Sequence, residues 1–386
     1  MGRGLTPCLF ALASFAVIAT ACGGKMLAAD DAGGSPTAPE DAAAPLDSSA
    51  DAADGLEGDG AATGDAGSTC GDTSTDPLNC GACGHSCQGG ACKAGRCRPL
   101  LLAVGQNYPD SLAVDQVNVY WTNHNDDTVV KCAVSGCNGK PTVLASGQFA
   151  PSAIATDGVN VYWAADSAVY WCPVTGCNGP PAVLAPNQAL VGAITLDKAN
   201  AYWVAYDGFS AMQCSLGGCN EAPIVLASGQ LGPESIAVDS TRVYWPDSNG
   251  GPGSIEACSI GGCNGTPTTL AKQDGYPRGI AVDSARLYWT VVWNGTVMSC
   301  DLPDCASPTT LASGQTNPSA IASDGKNVYW LDNTTLMRCP AAGCNGAPEV
   351  LGTNGGIPLV ALAIDATSVY WSTFGAKTGA VMKLAK

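Results

Sequence analysis

The residues most able to do chemistry in this chain are its cysteines, 20 of 386 residues, against only two histidines. They fall into two sets. Cys70, Cys80, Cys83, Cys87, Cys92 and Cys97 crowd the stretch CGDTSTDPLNCGACGHSCQGGACKAGRC. Twelve more form Cys-x4-Cys pairs: Cys132-Cys137, Cys172-Cys177, Cys214-Cys219, Cys258-Cys263, Cys300-Cys305 and Cys339-Cys344. At this density thiols bind metal, cycle between redox states or oxidise to disulfides. Cys80-x2-Cys83 with His85 and Cys87 has zinc-ligand spacing. Each Cys-x4-Cys pair flanks a four-residue turn, and partners across such a hairpin reach disulfide distance.

The compartment decides between these outcomes. Arg3 is followed by an apolar stretch from Leu9 to Ile18, too short to span a bilayer and built like a signal peptide over residues 1–21. It ends Ala19-Thr20-Ala21-Cys22, which resembles the lipobox of bacterial lipoproteins. That resemblance implies a diacylglycerol on the Cys22 thiol, and Gly23 after it implies sorting to the outer membrane. An ordinary secretory signal cleaved nearby would also export the chain. In an oxidising compartment the six pairs are expected as disulfides, and the six cysteines of residues 70–97 as three more in an order the spacing leaves open. Residues 22–69, rich in Ala, Gly and Asp, cannot bury enough apolar surface to order themselves and read as a disordered acidic tether.

Other chemistry is sparse. No G-x-S-x-G or H-E-x-x-H occurs, and a Ser-His-Asp site would have to use His124 with no serine nearby to nominate. The stretch TNHNDDT (122–128) offers Asn125, Asp126 and Asp127 to a hard cation, without an EF-hand pattern. No catalytic residue, metal or cofactor is assigned. The formal net charge of −16 argues against a nucleic-acid partner, because phosphate binding needs clustered Lys and Arg. Ten of the acids lie in residues 28–68, so the region beyond residue 98 is much closer to neutral.

What positions these residues is a repeat over residues 98–386. Tyr-Trp pairs stand at 120–121, 162–163, 202–203, 244–245, 288–289, 329–330 and 370–371, with tryptophans 40 to 44 residues apart. A period near 40 with short β-branched or aromatic runs is the signature of a β-propeller. One unit holds four strand candidates, A to D from the axis outward: SAIAT (152–156), NVYWA (160–164), AVYWC (168–172) and PAVLA (181–185). An Asp precedes every B strand (Asp115, Asp157, Asp197, Asp239, Asp283, Asp324 and Asp365), and its short carboxylate suits a tight A–B turn. The last unit stops after its C strand, AVMKLA (380–385), while PLLLAVGQNYP (99–109) matches the D pattern. The expected fold is therefore all-β: a seven-bladed propeller closed by its N-terminal strand, preceded by a tether and a small disulfide-rich module.

The motif AVD-x-x-x-VYW, as in GIAVDSARLYWT (279–290), resembles the YWTD repeat of lipoprotein-receptor propellers and their NHL-like relatives. The resemblance implies a rigid binding platform, usually non-enzymatic. The chain departs from it in blade number, seven instead of six. It also keeps the Asp two places after Trp only at Asp247 and Asp332.

In such a ring the A–B and C–D turns share one face and carry the repeated features. The D–A and B–C loops share the other, and function concentrates on loops held by a rigid scaffold. The position entering strand A reads Asp110, Ser152, Gly192, Glu234, Arg278, Ser319 and Val360, so charge breaks the repeat there. Arg278 is expected to pair with Glu234 or Asp110. Aromatic residues gather in the same loops: Tyr108, Phe149, Tyr206, Phe209, Tyr276, Trp293 and Phe374. Asp110, Glu234, Arg278, Tyr206, Tyr276 and Trp293 form the expected ligand site. The expectation is a monomeric, lipid-anchored extracytoplasmic platform for a protein or polysaccharide. The alternatives are an outer-membrane assembly scaffold and a metal-dependent propeller hydrolase or lyase.

Overall fold

The computed structural model describes residue 70 and residues 72–386, apart from 221, 249 and 250. The expected signal peptide, the expected lipidation of Cys22 and the expected acidic tether lie outside the described residues. Seven four-stranded antiparallel sheets follow one another along the chain. Blade 1 is Pro109–Val114, Asn118–Asn123, Thr128–Ala133 and Thr142–Ser146. Blade 7 is Leu359–Ile364, Ser368–Thr373 and Gly379–Ala385, completed on its outer edge by Leu100–Gln106. Leu100 pairs with Lys383, Leu101 with Met382 and Ala103 with Val381. The ring thus closes by joining a strand from before blade 1 to the last blade, which removes sheet edges that would otherwise recruit other chains.

Blades pack face to face, so the B strands are buried on both faces. Six of the seven repeat tryptophans are fully buried and Trp371 nearly so, and all seven tyrosines beside them are fully buried. The Tyr and Trp of a pair point to opposite sides, and adjacent blades meet through them. One core cluster combines Tyr370 of blade 7 with Leu102, Ala103 and Trp121. This explains the near-continuous apolar runs: a strand covered on both faces gains nothing from polar alternation.

The repeated aspartates hold the A–B turns, and each does so with both carboxylate oxygens. Oδ1 of Asp115 accepts the backbone N–H groups of Val117 and Asn118, both at 2.7 Å. Its Oδ2 accepts the Tyr120 hydroxyl at 2.7 Å. The same three bonds recur at Asp197 with Ala199, Asn200 and Tyr202, and at Asp365 with Thr367, Ser368 and Tyr370. The motif Asp-x4-Tyr is thus one device: it closes the turn and gives a buried phenol its partner.

A second device joins neighbouring blades. The indole N–H of Trp121 donates to Gln106 Oε1 at 3.0 Å. Equivalent bonds run from Trp163 to Gln148, Trp203 to Gln188, Trp245 to Gln230, Trp289 to Gln273 and Trp330 to Gln315. Each glutamine ends or follows the outer strand of one blade, and its tryptophan sits on strand B of the next. Before Trp371 the corresponding stretch is GTNGG (352–356), with no glutamine.

Each Cys-x4-Cys pair is joined across its C–D turn, from Cys132–Cys137 to Cys339–Cys344. The cysteine-rich module is stapled as Cys70–Cys83, Cys80–Cys92 and Cys87–Cys97. It rests on the end of blade 7 where strand C reaches the A–B/C–D face. There His85 Nε2 lies 2.9 Å from the Lys386 carbonyl oxygen, and Lys383 Nζ donates to Gln88 O at 3.1 Å and to Val134 O at 2.8 Å. Cys97 packs against the apolar cluster of blades 6 and 7.

Candidate functional site

The D–A and B–C loops lie on the face opposite the cysteine-rich module. At the channel mouth, blades 4 and 5 place three of the expected site residues together. Arg278 Nε donates to Glu234 Oε2 at 3.0 Å, and both side chains remain partly exposed. The Tyr276 hydroxyl donates to the other carboxylate oxygen, Glu234 Oε1. Burial, then the charge of Glu234 and this hydrogen bond, push the Tyr276 phenol far up. Tyr206 lies within reach of the same charge: burial, then Glu234 and Asp207, push its phenol up as well. Glu234, one of the two partners expected for Arg278, is bonded to it.

Asp110 lies within reach of the same guanidinium. Its carboxyl is pushed up by burial, against the opposing pull of His124 and Arg278. His124 follows strand B of blade 1, and its Nδ1 is buried without a hydrogen-bond partner. The mouth therefore presents a positive guanidinium, one carboxylate committed to it and a second carboxyl that burial disfavours as an anion. Such an arrangement suits recognition of a polar ligand that brings its own charge.

The loops around the mouth are pinned to one another. Asp247 Oδ1 accepts the Leu231 backbone N–H, and Asp332 Oδ1 accepts that of Asn317 at 2.7 Å. These two residues, the YWTD-type aspartates kept by the repeat, tie a D–A loop to the B strand that follows it. In the first B–C turn Asp127 Oδ1 accepts the Ala150 N–H at 3.0 Å, and Asp126 Oδ1 accepts the Asn107 side-chain amide at 2.8 Å. Asp127 is thereby committed to a loop contact, and Asn125 is exposed. Asp126 and Asp127 thus hold different partners.

The loop aromatics divide. Tyr108 and Phe374 pack edge to face, with centroids 4.6 Å apart. Phe149, Phe209 and Trp293 are exposed, at 68%, 47% and 64% of their surface, together with Leu231 at 54% and Ile357 at 44%. All five sit in D–A or B–C loops. Trp293 occupies the blade-5 B–C turn and makes no ring contact or hydrogen bond with Glu234 or Tyr276 among the described residues. A groove of about 380 Å³ runs beside Phe149, lined also by Gln148, Asp166, Tyr170, Pro181 and Val183.

In the cysteine-rich module the sulfurs of Cys80, Cys87 and Cys97 lie within 4.8 Å of one another. Each is already bonded to another sulfur, so none is the thiolate that zinc requires. The ligand-like Cys80-x2-Cys83 spacing is absorbed by two separate disulfides.

No protein-family model matches the sequence, and no curated protein matches it. Solved structures do. Virginiamycin B lyase from Staphylococcus aureus is similar at 13% identity over 75% of this chain and 99% of its own, with a TM-score of 0.60. The WD40 β-propeller domain of Doa1 is similar at 14% identity over 75% of this chain and 97% of its own, also with a TM-score of 0.60. A chain of a nidogen–laminin complex matches at 20% identity over 56% of this chain and 87% of its own, with a TM-score of 0.45. The first two neighbours, a lyase and a WD40 domain, share with this chain an architecture and no more: it is a seven-bladed β-propeller with a disulfide-rich module before it.

Proposed function

We propose that the protein is a membrane-anchored, extracytoplasmic platform that binds a protein or polysaccharide through its D–A/B–C face. The observation that carries this reading is the set of large apolar side chains left exposed on that face, Phe149, Phe209, Leu231, Trp293 and Ile357. Exposed aromatics around a charged centre are the composition of a binding hot spot with a polar interior. The disulfide-rich module supports the orientation. It rests on the opposite face and so does not cover the loops. The two faces also differ in kind: one is uniform, with seven Asp turns and six disulfides, and the other varies from blade to blade.

The test is capture by the full chain from cell-envelope extract and from envelope polysaccharide, with two matched variants. Phe149→Ser/Trp293→Ser alters the loop face. Val117→Ser/Val159→Ser removes side chains equally exposed, at 64% and 67%, on the A–B turns. The proposal expects capture to be lost in the first and kept in the second. Loss in both, or in neither, contradicts it.

A second reading as a metal-dependent hydrolase or lyase has one observation in its favour. His124 Nδ1 is buried without a hydrogen-bond partner, and the imidazole lies near enough to Asp110 to act on its carboxyl. Turnover abolished by a chelator and by His124→Ala would favour it over the binding platform.

A further inference from the structure

Two carboxamide oxygens under the first B–C turn lack any hydrogen-bond partner. They are Oδ1 of Asn107 and Oδ1 of Asn123, on side chains only 6% and 4% exposed. A buried acceptor left unsatisfied costs roughly 1–3 kcal/mol, so two in one corner call for an occupant. Backbone bonds define the corner. His124 N–H donates to Tyr108 O at 3.0 Å, and Asn125 N–H donates to Asn107 O at 3.4 Å. The amide ends of both side chains are committed inside it. Asn123 Nδ2 donates to Gln106 Oε1 at 3.0 Å and to Thr128 Oγ1 at 3.4 Å, across the base of the turn. Asn107 Nδ2 donates to Asp126 Oδ1 at 2.8 Å, nearer its tip. Each amide nitrogen thus has a partner, while each oxygen, which can only accept, has none.

We propose that this corner is a divalent-cation site of calcium type, with Asn107 Oδ1, Asn123 Oδ1 and the Asp126 carboxylate as protein ligands. The chemistry is hard oxygen throughout, two neutral and one anionic, which suits calcium better than a transition metal. Asp126 is exposed and the two asparagines are buried, so an ion can enter from solvent and reach them. Three protein oxygens fall short of the six to eight calcium takes, and water supplies the rest. One carboxylate and a half-open site place the affinity near the weak end, with a Kd of roughly 10⁻⁴–10⁻³ M, as in extracellular modules. A filled site would tie the 106–109 loop to the 123–128 turn beside Asp110. It is independent of which ligand the platform takes.

Terbium luminescence on the full chain tests this. Trp121 bonds the same Gln106 that Asn123 bonds, so it lies close enough to sensitise a bound ion. Residues 22–69 hold no tryptophan or tyrosine of their own, and the Asp126 variant below separates emission from ions held there. The proposal expects sensitised emission displaced by millimolar Ca²⁺, and a melting temperature raised by roughly 2 °C at ten times Kd. Asp126→Asn keeps an acceptor for the Asn107 amide but removes the charge, and should abolish both signals. Asn107→Asp adds a carboxylate at the orphaned oxygen and should tighten calcium roughly tenfold. Emission that calcium does not displace, signals unchanged in Asp126→Asn, or no gain in Asn107→Asp would overturn the proposal and leave the two oxygens to water.

Discussion

Leu102 is the residue through which ring closure can be measured. It sits on Leu100–Gln106, is 1% exposed, and packs with Trp121 and Tyr370 across the junction of blades 7 and 1. Its counterpart in blade 1 is Leu144, 6% exposed on an outer strand that no one would doubt. A buried leucine cut to alanine loses about 2–5 kcal/mol, part transfer and part cavity. If the ring of roughly 290 residues unfolds as one unit, its unfolding entropy is about 0.6 kcal/mol/K. Leu102→Ala and Leu144→Ala should then each lower the melting temperature by roughly 3–8 °C. The buried tryptophans make intrinsic fluorescence the natural probe, and chemical denaturation checks the thermal result. A Leu102→Ala variant within about 1 °C of wild type, beside a clearly destabilised Leu144→Ala, would mean that the segment is a linker and the ring closes some other way.

Four further outcomes follow from the same contacts. Gln148→Ala strands the Trp163 indole N–H in the core and should cost roughly 1–3 kcal/mol, read as a lower denaturation midpoint. Reducing one blade staple, tested as a Cys214→Ser/Cys219→Ser pair, should cost about 2 kcal/mol, since the bond spans five positions in the chain. Acid should weaken the A–B turns. Burial tends to raise Asp324, but the Asn327 and Lys326 N–H groups and the Lys386 ammonium outweigh it and hold it at about 2, below the ordinary 3.8. Its share of stability is present above pH 3.8 and drains away as the pH falls toward 2, and Asp324→Asn should flatten that part of the melting profile. Alkali should act on the partners. Burial and the neighbouring carboxylates push Tyr162 and Tyr329 up to about 12. Stability should therefore fall as the pH rises past 10 toward 12, with their ionisation absorbance appearing only as the chain unfolds.

The blades were legible because both faces of every strand are covered. The runs around each Tyr-Trp pair are then continuous, recur at one period and end at turn residues. Closure was legible because PLLLAVGQ repeats the outer-strand pattern at the wrong end of the chain. The glutamine clamps were missed, although the signal is present: a Gln stands 15 residues before Trp in five repeats and 16 before it in a sixth. A polar residue after a surface strand reads as solvated, and only the packing of blade on blade brings it onto the next indole. The order of the three disulfides in residues 70–97 was not legible, since nearly any pairing is sterically open without a core. At the mouth, residue types marked Arg278, Glu234, Asp110 and Tyr276, while side-chain reach joined Arg278 and Tyr276 to the two oxygens of one carboxylate, Glu234. The aromatic loops could not be sorted in advance. Tyr108 and Phe374 differ from Phe149 and Trp293 only in having each other to pack against.

The most direct test of the central claim compares the two faces where the protein works. Oxidative footprinting would be run on isolated envelopes of cells carrying the full chain and on the purified protein. It would read Trp293 and Phe149 on the loop face against Val117 and Val159 on the turn face. The binding-platform account predicts that Trp293 and Phe149 are protected severalfold in envelopes while the two valines label equally in both. Equal labelling of the loop face in both settings, or protection of Val117 and Val159 instead, would contradict it.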